Sequence, residues 1–160
     1  MKGKALTLTL AGGSLAAVMA GFALWPTDAG TTDVARSIAP MGHWEGAQED
    51  VVKQWPLRLL TTARTSIGYD DPDPGASAEQ FREYVNGIAG FDVAADAQTE
   101  RYQSHYYCGR NVEIPGTPME CSAGFQKQVG VRRFDVIVEV GMPLNTVTRK
   151  PVEITVVAMD

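Results

Sequence analysis

Two cysteines, Cys108 and Cys121, flank the turn-rich run Ile114-Pro115-Gly116-Thr117-Pro118. On the approach, Tyr102, Ser104, Tyr106 and Cys108 alternate with Arg101, Gln103, His105 and Tyr107; on the departure, Cys121, Ala123, Phe125 and Lys127 share a face. Period two is the side-chain repeat of a strand, and Pro-Gly is turn chemistry. Residues 104–125 therefore read as a β-hairpin, closed by a disulfide if the chain reaches an oxidising compartment. Closing a loop of this length stabilises a small domain by about 3 kcal/mol in the chain-entropy picture, a large share of ordinary domain stability. The cysteines lack the C-x-x-C spacing that lowers a thiol pKa, so a staple is expected rather than a redox pair. A stapled hairpin needs further strands beside it and a cover for one face.

The rest of the chain supplies both. Phe134, Val136, Val138 and Val140 alternate with Asp135, Ile137 and Glu139, and Val152, Ile154, Val156 and Ala158 alternate with Glu153, Thr155 and Val157. Two amphipathic strands in sequence predict an antiparallel sheet with one covered side. The cover is a helix over residues 78–89. Ser77 and Gln80 make an S-x-x-Q capping box, Phe81, Tyr84, Val85 and Ile88 form an apolar stripe, and Gly90 stands at the end. Earlier, Asp33 suits the cap of a short helix through Val34, Ala35 and Ile38, Pro40 ends it, and residues 49–55 fit two helical turns. Leu57, Leu59, Thr61, Ala63, Thr65 and Ile67 fit a strand, and residues 68–76 (GYDDPDPGA) read as a solvated acidic loop. The expected class is α+β: one main amphipathic helix on an antiparallel sheet of four to five strands, preceded by an N-terminal apolar export segment.

That segment is residues 5–25, uncharged throughout and preceded by Lys2 and Lys4. It fits a secretory signal, with small residues before a cut after Ala20 or Ala23, and it is equally long enough for a membrane anchor, which needs about 20 residues. No cysteine follows the run at the position of a lipid attachment. The expected organisation is a signal or anchor at 1–25, a tether at 26–40 and one exported domain, periplasmic or extracellular, at 41–160, with membrane contact only through residues 5–25 if they are retained. The net charge of -5 argues against nucleic acid as a partner, because phosphate would be repelled. Arg132-Arg133 reads as a solvated strand end.

Chemistry-bearing candidates are few. In His43-Trp44-Glu45 a glutamate adjoins an indole, which suits a general acid if burial raises its pKa. Trp44-Glu45-Gly46 with the later Ser66-Ile67-Gly68-Tyr69 is similar to short motifs of phage-type lysozymes, a resemblance that implies a catalytic role for Glu45 on a cell-wall polymer. The chain departs from that family in having Gln54 where the partner acid would stand, Asp70 after the Ile-Gly-Tyr run, and strands in its C-terminal half. The overall plan also resembles the type IV pilins, but Pro26 and Gly30 interrupt the apolar segment and it lacks the early glutamate. His105, Tyr106 and Tyr107 form a second candidate, a contact patch, since tyrosine gives large contact area at low entropic cost. The two histidines and two cysteines do not stand at metal-finger spacing, and phosphate-loop and dinucleotide patterns are missing, so no metal or cofactor is expected. The leading expectation is a non-enzymatic exported domain that binds another envelope or extracellular protein. The alternatives are a small polymer hydrolase using Glu45 and a membrane-anchored assembly subunit.

Overall fold

A computed structural model describes residues 27–54, 62–98, 104–110, 119–141 and 150–159. The apolar segment, the proline-rich tip at 111–118 and the first half of the run from Leu57 lie outside the described residues. Helix α1 (Thr31–Ser37) precedes strands β1 (Glu45–Val52) and β2 (Arg64–Asp70). Helices α2 (Pro74–Ala89) and α3 (Val93–Gln98) follow, and then strands β3 (His105–Arg110), β4 (Met119–Val129), β5 (Arg132–Val140) and β6 (Val152–Ala158). The six strands form one antiparallel sheet in the order β1-β2-β6-β5-β4-β3. The α+β class is as expected, and the sheet has six strands where four to five were expected.

The additional strand is β1. Its residues read as helical turns, yet they pair along the edge of β2 from Val52↔Arg64 to Glu45↔Asp70. Two isolated helical turns cannot recover the cost of nucleation, whereas an edge strand gains its backbone partners from a sheet already formed. A second difference lies at 68–76. Strand β2 runs on to Asp70 and α2 begins at Pro74, so only three residues connect them. Asp73 caps the helix, its carboxylate accepting from the Ala76 N–H at 3.0 Å, and Pro74 occupies the first turn, where a missing N–H costs nothing. Ser77, expected as the cap, lies one turn inside. Gly90 ends α2 in the left-handed conformation, as the sequence predicts.

All three helices share one core with the sheet's inner face. Cys121, Ala123 and Phe125 of β4, Phe134 to Val140 of β5 at every second residue, and Val152, Ile154 and Val156 of β6 are buried there. Phe81 and Val85 are the fully buried apolar residues of α2, while Tyr84 and Ile88 pack half-buried at its margin. The stretch 26–40, expected as a tether, carries α1, whose Val34 and Ala35 belong to that core with the adjacent Ile38. Cys108 and Cys121 stand directly opposite each other on β3 and β4 and are joined by a disulfide, with Cα atoms 4.1 Å apart. No helix among the described residues is long and apolar enough to cross a membrane.

Candidate functional site

The structure separates the candidates that adjoin in sequence. Trp44 turns inward and is buried between Tyr69 and Tyr84, at ring separations of 5.8 and 5.1 Å. Glu45 starts the edge strand β1 and is exposed. The indole and the carboxylate are therefore parted, one in the core and one on the sheet edge. His43 turns away from Glu45 to a third residue. Its Nε2 lies 2.7 Å from Ser77 Oγ and 3.6 Å from Asp71 Oδ1, and the Trp44 indole N–H donates to the same Ser77 Oγ at 2.8 Å.

Serine, histidine and aspartate meet here without forming a nucleophilic triad. In a triad the imidazole uses one nitrogen for the serine and the other for the acid. Here both face Nε2, and Ser77 is fully buried. The arrangement is a polar knot that ties the 38–44 loop to α2 and to the β2–α2 connection. Asp71 is its least satisfied member. Oδ1 accepts from the Asp73 N–H at 3.1 Å, but Oδ2 is buried without a hydrogen-bond partner among the described residues. Sequence reasoning missed Ser77 and Asp71 in these roles. The available signal was Asp73-Pro74, a cap followed by a first-turn proline, which shifts the helix start upstream and carries Ser77 inward.

The second candidate, on β3, divides by strand alternation. Tyr106 lies on the inner face, 5.9 Å from the Phe81 ring, and burial pushes its phenol pKa up. His105 and Tyr107 lie on the outer face. Tyr107 is 53% exposed, and its ring lies along its own strand over Gly109, where a Cβ would stand 2.6 Å from the phenol oxygen. His105 lies across Gly124 of β4 in the same manner, a Cβ there standing 2.5 Å from the ring, and its Nε2 meets Ser122 Oγ at 3.0 Å. Two glycines thus let two rings lie flat on the sheet.

Those rings end two rows that cross all six strands. One runs Tyr107, Ser122, Glu139, Glu153, Gly68, Gln48, and the other His105, Gly124, Ile137, Thr155, Ser66, Asp50. No described helix covers this face, and its hydroxyls are linked, Ser66 Oγ to Thr155 Oγ1 at 2.8 Å and Thr155 to Glu153 at 3.0 Å. Burial raises the carboxyl pKa of Asp135 on the same face. A depression of about 640 Å³ lies elsewhere, between residues 37–42 and α2. Ile38, Met41 and Ile88 line it, and two of its polar groups are engaged, Tyr84 Oη donating to Ala39 O at 2.9 Å and Lys127 Nζ to Ile88 O at 2.8 Å. None of Glu45, His43, His105, Tyr106 or Tyr107 lines it. Among the described residues no group of three or more metal-ligating side chains converges. Searches found no family model, no curated protein and no solved structure that matches the chain.

Proposed function

We propose that this chain is an exported, disulfide-stapled binding domain that holds another envelope or extracellular protein through the β3 edge and the outer sheet face beside it. The carrying observation is Tyr107, a large aromatic 53% exposed on an edge strand, lying over Gly109 on the face it shares with His105. A tyrosine has only two side-chain torsions and loses little entropy on binding for the area it offers. The two edges of the sheet also differ. Strand β1 is blunted by Glu45, Glu49, Asp50 and a register shift between Glu45 and Gln48, whereas β3 pairs in continuous register and carries no acid. Charges and bulges are the usual protection of an edge against pairing, and β3 has no bulge and a single charge, Arg110 at its end.

A photo-reactive residue at position 107 should form an adduct with one envelope protein in cells, and the same residue at position 48 on the β1 edge should not. Tyr107→Ala should weaken binding of that protein about tenfold, about 1.4 kcal/mol, with thermal stability unchanged. Identical adducts from both positions, or unchanged affinity of Tyr107→Ala, would remove the β3 edge as the binding surface.

A further inference from the structure

The end of the sheet where the described chain begins has a composition unlike the rest. The β4–β5 hairpin turns through Gly130 and Val131, between the paired Val129 and Arg132. Val131 is 98% exposed and Val129 47% exposed, where hairpin turns ordinarily carry polar residues. Arg132 and Arg133 follow at once. Thr27 is bonded to Gln54 in both directions at 3.0 and 2.8 Å, and Arg132 donates to Ala29 O at 2.7 Å. Thr27, Gln54, Val131 and Arg133 line one depression of about 510 Å³. Thr27, where the described chain begins, is thus tied beside an exposed valine pair and two arginines, and the uncharged run 5–25 ends two residues before it in the sequence.

Charge is sorted along the strands in the same sense. This end carries Lys53, Arg64, Lys127, Arg132 and Arg133 against Asp28 and Asp135 among the described residues. The opposite end carries Glu45, Asp70, Asp71, Asp73 and Glu120 against Arg110 and Lys150. In a chain of net charge -5, a basic end with an apolar tip is the complement of an anionic lipid surface, and the acidic end is repelled from it.

We infer that the hairpin tip Val129–Arg133 is a membrane-contact element: the valines enter the headgroup boundary of an anionic bilayer and the arginines meet lipid phosphates. The strands then stand across the bilayer plane with the β3 edge facing sideways. This contact is distinct from the binding edge on β3, and either can fail without the other.

The test uses the full-length chain in vesicles of phosphatidylcholine, with and without phosphatidylglycerol. An environment-sensitive fluorophore is placed on Val131→Cys or, at the opposite end, Gly75→Cys, with the native disulfide kept oxidised. In anionic vesicles the label at 131 should lose most of its quenching by aqueous iodide and be quenched by nitroxide-bearing lipid, while the label at 75 stays in water. Arg133→Glu, an exposed position, should restore iodide quenching at 131 with an unchanged circular dichroism spectrum. Equal iodide quenching at 131 and 75 would overturn the inference. Shielding at 131 without lipid quenching would also overturn it and would mean a protein contact instead.

Discussion

Ser77→Ala tests the polar knot, because one oxygen atom there serves two rings. Ser77 is fully buried, and its Oγ accepts the Trp44 indole N–H at 2.8 Å while meeting His43 Nε2 at 2.7 Å. Alanine leaves that N–H buried without an acceptor, which costs about 1–3 kcal/mol. The site lies in the first turns of α2, where alanine is the better helix former by about 0.5 kcal/mol, so the two effects oppose each other. Desolvation wins, and the net loss should be about 1.5 kcal/mol, a fall of about 0.7 M in the urea midpoint at an ordinary slope. A double-mutant cycle isolates the cause. In a Trp44→Phe background no indole N–H remains to be orphaned, so Ser77→Ala should cost at least about 1 kcal/mol less there. His43 is half-buried and can turn to water, so it contributes little to the difference. Equal costs in the two backgrounds would refute the assignment of Ser77 as the acceptor that Trp44 requires.

Four other substitutions have defined expected effects. Replacing both cysteines by alanine should remove about 3 kcal/mol, read by thermal unfolding, and reductant should lower the wild type to the level of the variant. Gly141 has φ +72°, and a Cβ there would meet the Met119 carbonyl, so Gly141→Ala should cost at least about 2 kcal/mol. Gly130 has φ +61° with open space around it, so Gly130→Ala should cost only the backbone strain, about 1 kcal/mol. Burial raises the Asp135 carboxyl pKa above its unfolded value, so the native state binds that proton more tightly and stability falls as pH rises through the window from the ordinary aspartate value to the raised one. Asp135→Asn should therefore stabilise the protein at pH 7, with the gain vanishing below about pH 3.8 in a pH series of denaturation curves.

Where a sequence pattern and a burial pattern obey the same period, the fold was legible. The inner residues of β4, β5 and β6, the pairing of Cys108 with Cys121, the Phe81–Ile88 stripe and the stop at Gly90 follow from period two, period 3.6 and the left-handed preference of glycine. Strand alternation likewise sorted His105 and Tyr107 from Tyr106. These are local statements, because the repeat of a backbone conformation is written into consecutive residues.

What the tertiary structure alone decided is which segments meet. Residues 45–52 have no apolar period of either kind, and they are a strand because β2 offers them a backbone ladder. Glu45 parts from Trp44 because the core takes the indole and leaves the carboxylate on the edge. Ser77, His43, Trp44 and Asp71 come from three segments, and their hydrogen bonds exist only once α2 lies on the sheet. The bonds of Thr27 to Gln54 and of Arg132 to Ala29 O set the first described residues beside the Val131 tip. Contacts between residues far apart in the chain depend on strand order, and strand order is set by the packing of the whole core.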